Sequence, residues 1–206
     1  KSTLGRAMLG LLPHSAGSLQ FDGQPLPVGR LPRTQRAALQ LVFQDPLASL
    51  NPRQTIAATL AEPLRLHGRW RGAELAARVV ALADQVELSA ALLTRLPSQL
   101  SGGQRQRVAI GRALACRPQF LVADEAVSAL DLSIQAEILQ LLQRLVGEHR
   151  LALLFISHDL GVVRSIAHRV AVMEAGRIVE QSSAEQLWQA PQHPYTQRLL
   201  AATLSI

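Results

Sequence analysis

Cysteine is almost missing from this 206-residue chain, in which Cys116 stands alone. One cysteine makes no internal disulfide, which excludes a disulfide-framed secreted domain and fits a reducing, cytosolic compartment. In an apolar helical stretch, Cys116 reads as a small packing residue rather than a reactive thiol. Lysine is equally scarce: Lys1 is the only one among 21 basic residues, the others being arginine. Aromatic residues contribute 3% and charged residues 17%, against 48% hydrophobic, so the chain has the apolar surface to fold rather than stay disordered. No apolar run approaches the ~18 residues that a membrane span requires, so no crossing helix is expected. There is no initiator methionine and no basic-then-apolar leader. A chain that opens on Lys1-Ser2-Thr3 and runs straight into an apolar helix reads as a fragment. The net charge of +6 invites nucleic acid or an anionic surface, but the arginines are scattered without a run. They read as compositional bias rather than as a binding patch.

What is present is an alternation. Residues 1–12 predict a helix ended by Pro13, and residues 18–28 a short hairpin turning at Asp22-Gly23. A strand at 39–43 leads into the polar turn Gln44-Asp45-Pro46. Residues 55–96 predict mostly helix, punctuated by Gly68, Gly72 and Pro97. A helix at 102–116 follows Gly102-Gly103. Then come strand 119–123, helix 133–147, strand 152–156, helix 159–167 and strands 169–174 and 177–181. A terminal helical segment is interrupted near Pro191 and Pro194. The continuous apolar runs Phe120-Leu121-Val122-Ala123 and Leu153-Leu154-Phe155-Ile156 suit central parallel strands. The expected fold is therefore α/β: a mainly parallel sheet flanked by helices, with an inserted helical lobe and a small antiparallel part.

Three segments carry chemistry. Asp124-Glu125 directly follows an apolar strand, and open α/β sheets bind ligands beyond the carboxyl ends of their strands. Adjacent carboxylates there can divide phosphoryl-transfer work, Asp124 holding Mg²⁺ and Glu125 orienting and deprotonating the attacking water. Taken alone, the pair is equally a helix start decorated with acids. Lys1-Ser2-Thr3 matches the end of a phosphate-binding loop, whose lysine reaches the β- and γ-oxygens and whose hydroxyl ligates Mg²⁺. A compact ammonium suits that place better than a guanidinium fork. Ser101-Gly102-Gly103-Gln104 opens a helix, where bare glycine backbone, the helix dipole and the Ser101 hydroxyl can receive an anion.

Leu100-Ser101-Gly102-Gly103-Gln104, continued by Arg105-Gln106-Arg107 and followed by a strand ending in Asp124-Glu125, resembles the signature motif of ABC ATPases. The resemblance runs from residue 1 to about residue 200 and implies a P-loop NTPase fold. It implies that Gln44, in Val-Phe-Gln-Asp-Pro, is the Q-loop residue that senses Mg²⁺ and the attacking water. It implies that Ser128-Ala129-Leu130-Asp131 is the D-loop at a dimer interface and that His158 is the switch histidine on the γ-phosphate. Two such domains pair head to tail with ATP and Mg²⁺ between them. Lys1, Ser2, Thr3, Gln44, Asp124, Glu125 and His158 would then serve the chain's own nucleotide, while Ser101, Gly102, Gly103, Gln104 and Asp131 would serve the partner's. One ABC ATPase domain over 1–206 is expected, with a helical subdomain at about 52–116, a C-terminal helical extension at 183–206, and the loop glycines and preceding strands missing. The family usually has proline after the catalytic glutamate. Here Ala126 stands there, which removes no catalytic atom.

Ser49-Leu50-Asn51-Pro52 and His193-Pro194-Tyr195-Thr196 resemble the ATP-binding subunits of peptide and nickel importers, and Asp131-Leu132-Ser133-Ile134-Gln135-Ala136 resembles the second subunit of such a pair. The implied partners are another ATPase subunit, two membrane permeases and, indirectly, an external substrate-binding protein, with no nucleic acid. The implied place is the cytoplasmic face of the inner membrane. The cysteine cluster that some peptide-importer ATPases carry near the C-terminus has no counterpart here. The rival reading is an ABC-type ATPase of DNA repair or translation. Residues 45–100 are too few for the long coiled coil of a chromosome or repair ATPase, and one domain is seen where a ribosome-acting type has two.

Overall fold

The computed structural model describes residues 1–27, 29 and 31–203. Val28, which closes the expected hairpin, and residues 204–206, which close the expected extension, lie outside them. Contacts divide the chain into two bodies, one spanning Ser2–Ile156 and the other holding Lys1 with the chain from Ser157 onward.

In the first body, β3 (Leu39–Val42), β4 (Phe120–Asp124) and β5 (Ala152–Ile156) form a parallel sheet in the order β3-β4-β5. Leu41, Val122 and Leu154 share one register row, and Asp124 sits beside Ile156 two rows further on. Alternation along each strand sends Leu39, Leu41, Val122, Leu154 and Ile156 to one face and Val42, Leu121 and Ala123 to the other. The first face packs with Leu9, Leu26 and Leu31. On the second, Val42, Leu121 and Ala123 are at most 1% exposed. Both faces are covered, as continuous apolar strands require.

Helix α1 (Ser2–Met8) lies against β4 and β5. A Cβ on Gly5 would come within 2.9 Å of the Ile156 side chain and 3.2 Å of Val122, so glycine sets how closely the helix seats. The helix is shorter than its pattern predicts. Gly10, at φ 66°, turns left-handed. Its N–H bonds Ala7 and the N–H of Leu11 bonds Arg6, which closes the helix in a Schellman motif before Pro13 is reached. The hairpin forms as β1 (Gln20–Phe21) and β2 (Gln24–Pro25), turning at Asp22-Gly23.

Helix α2 (Arg33–Ala38) and the single turn α3 (Pro46–Ser49) were not legible; neither carries a buried residue to give an apolar period. The 55–96 region divides. Helix α4 (Ile56–Pro63) starts at the Thr55 cap, passes into a π turn over Leu64–Gly68 and stops at left-handed Arg69. Helix α5 (Gly72–Gln85) follows. Two free N–H groups at the start of α4, those of Ile56 and Ala57, bond the carbonyls of Arg95 and Leu93. Helix α6 (Gly102–Leu114) packs on α3, α4, α5 and β3, and α7 (Leu132–His149) packs on α6. Ile138, Leu141, Leu142 and Leu145 form the buried stripe of α7 at helical spacing. Cys116, just past α6, is half-buried, and burial pushes its thiol up to about 11.

In the second body, α8 (Leu160–Ile166) precedes the antiparallel pair β6 (Arg169–Glu174) and β7 (Arg177–Ser183). Ala175 and Gly176 both have positive φ, the backbone of a tight hairpin turn. Helix α9 (Ala184–Gln189) packs on this hairpin, and α10 (Pro194–Thr203) packs on α8. The break between them falls at Pro191 and Pro194, where the prolines predict it. There the Glu180 carboxylate accepts from the N–H groups of Gln192 (2.8 Å) and His193 (3.0 Å). Among the described residues no helix is long and apolar enough to cross a membrane.

Candidate functional site

The carboxyl ends of β3 and β4 gather four of the residues singled out in the sequence. Asp124, the last residue of β4, is only 4% exposed. Ser2, the first residue of α1, donates its hydroxyl to Asp124 Oδ1 at 2.9 Å. Gln44, two residues past β3, donates Nε2 to Glu125 Oε2 at 3.0 Å. Each contact joins segments about eighty or more residues apart (separations 122 and 81). The parallel register of β3 and β4, which end side by side, makes the Gln44 contact, and the seating of α1 on β4 and β5 makes the Ser2 contact.

Glu125 is held in an unusual conformation. Its φ is 50°, in the left-handed region that glutamate rarely adopts. Its N–H bonds the Ile156 carbonyl at 2.9 Å, and its own carbonyl accepts from both the N–H (3.1 Å) and the hydroxyl (3.0 Å) of Ser128. Ala126 and Val127 behind it are each 2% exposed. Packing and four-residue turn closure together fix the carboxylate's departure from the strand.

Ser2 and Asp124 offer hydroxyl and carboxylate oxygens side by side, and Gln44 adds an amide. Magnesium prefers such hard oxygen donors and keeps places for water and phosphate. Among the described residues no three His, Cys, Asp or Glu side chains cluster into a metal cage. The donor set therefore fits a Mg²⁺ completed by nucleotide oxygens and does not fit a resident all-protein metal. Thr3, the next residue of α1, is exposed.

Ser101 caps α6. Its hydroxyl accepts from the Gln104 N–H at 3.3 Å, and Gln104 Oε1 accepts from the Ser101 N–H at 3.0 Å, a reciprocal capping box. The glycines that follow have a packing reason that sequence reasoning missed. A Cβ on Gly103 would come within 2.6 Å of Ile134 Cγ2, and one on Gly102 within 3.2 Å of Leu130. The start of α6 thus lies directly on the turn that opens α7. Asp131 caps α7 by accepting from the Ile134 N–H (3.0 Å) and the Ser133 hydroxyl (2.9 Å), bonds that hold its carboxyl below the usual range.

A second group missed in the sequence stabilises this assembly. Arg107, one turn along α6 from Gly103, donates to the Val86 carbonyl and to the carboxylates of Glu87 and Glu137. Arg144 of α7 also donates to Glu87 (2.8 Å) and to the Gln85 carbonyl (3.1 Å). Two arginines from α6 and α7 thereby cap the end of α5. The hydrogen bond from Arg107 is the largest of the effects that lower the Glu87 pKa. Nothing in the local sequence marks Glu87 as their meeting point.

In the second body, Lys1 donates Nζ to the Ser157 carbonyl at 3.0 Å. His158 follows as an exposed residue, and Asp159 caps α8 through the N–H groups of Gly161 and Val162.

Comparison with known proteins agrees with these motifs. The family profile described as ABC transporter matches residues 1–128. The chain is 51% identical over 205 residues to the glutathione import ATP-binding protein GsiA of Shigella flexneri serotype 5b (strain 8401). It is 50% identical over 205 residues to the protein of the same name from Escherichia coli (strain K12). Each alignment covers 98% of this chain and 33% of the relative, so the chain spans about a third of the length of the curated relatives it matches. Among solved structures, a dimeric post-hydrolysis state of the ATP-binding cassette MJ0796 bound to ADP and Pi superposes with a TM-score of 0.75 and 29% identity, covering 89% of this chain and 80% of that one. The cbiO1 protein of Clostridium perfringens, part of the ABC transporter complex cbiONQ, gives a TM-score of 0.80 and 26% identity, covering 92% and 74%.

Proposed function

The chain belongs to the ABC transporter family, and from that premise we propose that it is the ATP-binding and ATP-hydrolysing part of an importer of peptides or nickel. The observation that carries the reading is the pairing at the end of β4, with Ser2 on Asp124 and Gln44 on Glu125. A Mg²⁺·nucleotide needs a hydroxyl and a carboxylate together, and a hydrolytic water needs a second carboxylate beside them.

In this reading Ser2 and Asp124 hold Mg²⁺, which when bound offsets charge on the phosphates. Lys1 and Thr3 cradle the β- and γ-oxygens. Glu125 orients the attacking water and takes its proton at the carboxylate. Gln44 steadies that carboxylate and senses the metal. His158 contacts the γ-phosphate. Ser101, Gly102, Gly103 and Gln104, with Asp131 beside them, face the nucleotide of a partner domain in a head-to-tail pair. Residues 52–116 form the helical subdomain and 183–206 a C-terminal extension of one ATPase domain.

The partner domain is a second ATPase chain or, as the greater length of the glutathione import relatives allows, another part of the same chain. The ATPase lies at the cytoplasmic face of the inner membrane, with two membrane permeases and, indirectly, an external binding protein completing the system. Glutathione is a small peptide, so those relatives favour peptide over nickel as cargo.

The test is Glu125→Gln in the full-length protein. The turnover rate should fall by about 10²–10⁴-fold, as loss of a general base requires, with ATP binding retained and the closed pair trapped. Hydrolysis at the parental rate would remove Glu125 from its role.

A further inference from the structure

The tail segment His193-Pro194-Tyr195-Thr196 stands out in the sequence but has no task among the residues at the ends of β3 and β4. In the fold each of its residues has a place. His193 stands just before α10. Its ring Nδ1 accepts from the Tyr195 N–H at 3.2 Å, and its carbonyl accepts from the Gln197 N–H at 3.1 Å. Pro194 takes the first helical position, where an N–H would go unpaired. Thr196 is 1% exposed, and its hydroxyl faces the Glu180 carboxylate without reaching full hydrogen-bond geometry.

Glu180 of β7 receives this helix start. A bulge aims it, since Val179 is an extra residue between the pairs Met173–Ile178 and Val172–Glu180. Its two oxygens take separate N–H groups, Oε1 that of Gln192 and Oε2 that of His193. The dipole of the ten-residue α10 also favours a carboxylate at this end. Burial works to raise the Glu180 pKa, but the N–H of Gln192, the Thr196 hydroxyl and the N–H of His193 outweigh it and hold the group below the usual carboxylate range.

Within the same body, α10 packs on α8. Thr196 and Leu200 of α10 and Leu160 and Val162 of α8 are buried. Helix α8 starts at Asp159, whose carboxylate caps it and whose N–H bonds the Ser157 hydroxyl at 3.0 Å. Lys1 in turn holds the Ser157 carbonyl. His158 is strung between these two anchored residues, so the seat of α8 sets where it stands.

We propose that the knot of Glu180 with His193-Pro194-Tyr195-Thr196 is a positioning device for His158, which it holds in its hydrolytic place by seating α10 on α8. The proposal rests on the reading of His158 as the group on the γ-phosphate. Glu180 acts through the helix pair rather than on the nucleotide.

The test is ATP hydrolysis by the full-length protein carrying Glu180→Ala, His158→Ala or both. Glu180→Ala should lower kcat about 10–100-fold, as a small misplacement of a catalytic group does, with KM for ATP near its parental value. Glu180→Gln, which keeps one oxygen able to accept an N–H, should recover part of the rate. It replaces Glu180→Ala throughout if that variant does not fold. In the His158→Ala background the Glu180 substitution should cost little more, because the knot acts through the histidine. Amide exchange in α8 and α10 should quicken in Glu180→Ala, with β3, β4 and β5 near parental rates. A reduced rate in His158→Ala beside a parental rate in the Glu180 variant overturns the knot's role alone. A parental rate in His158→Ala overturns the reading of the histidine, and the knot's role with it. The same proportional loss with and without His158 would make the knot a general stabiliser, and unchanged exchange in α8 would break the link between the helices. Either result overturns the proposal.

Discussion

Gly103 shows how one position can satisfy two demands. A family signature suggests that its missing side chain lets a nucleotide approach. The structure adds that Ile134 fills the space where a Cβ would stand, at 2.6 Å. Gly103→Ala should therefore cost about 1–3 kcal/mol of stability through overpacking. Ile134→Ala should restore much of that loss, which a double-mutant cycle in urea can measure. If the alanine harms only hydrolysis and Ile134→Ala rescues nothing, the packing account fails. The same scale shows what a sequence displays and hides. Asp124, Glu125 and Ser101 were legible because each lies in a contiguous motif. The left-handed Glu125 and the Ile134 contact were not. Both depend on neighbours brought in by the fold, and neither glutamate nor isoleucine advertises them.

Helices and strands with a buried stripe were legible within a few residues: α7 by its 138, 141, 142, 145 spacing, β4 and β5 by their apolar runs. Helix α2 and the π turn after α4 were not, because short exposed segments carry no period. The joint between α5, α6 and α7 was hidden for another reason, since it unites Arg107 of α6, Glu137 and Arg144 of α7, and Glu87 in the turn after α5. Arg107→Met should lower stability by about 2 kcal/mol, seen as a lower urea midpoint with unchanged slope. The joint should also be acid-sensitive. The Glu87 pKa is lowered from 4.5 in the folded chain. Its contribution is therefore fully present above 4.5 and fades as pH falls through the folded value. Glu87→Gln should flatten that part of the stability–pH profile, and an unchanged profile would place the acid sensitivity elsewhere.

Over the whole chain, the sequence reads as one α/β domain, while contacts gather into two bodies that divide after Ile156. The alternating pattern carries no mark of this boundary, because strand-then-helix continues across it. Each body has its own buried residues: Leu142 is 1% exposed in the first, and Leu187, beneath the β6–β7 hairpin, is 0% exposed in the second. Leu187→Ala should cost about 2–4 kcal/mol locally. It should speed amide exchange in β6, β7 and α9 while leaving β3, β4 and β5 near parental rates. Uniform acceleration across both would show that they open as a single unit.

The scarcity with which the sequence opens has a practical side. Cys116 is half-buried, and its thiol is pushed up to about 11. At neutral pH only about one such thiol in ten thousand is the reactive thiolate. The native chain should therefore react slowly with maleimides and methanethiosulfonates at neutral pH, which a labelling time course checks. A cysteine placed at Leu132, which is 82% exposed beside Asp131, would take a spin label or fluorophore without first removing the natural thiol. Inter-domain distances through a nucleotide cycle could then be followed with the original core intact.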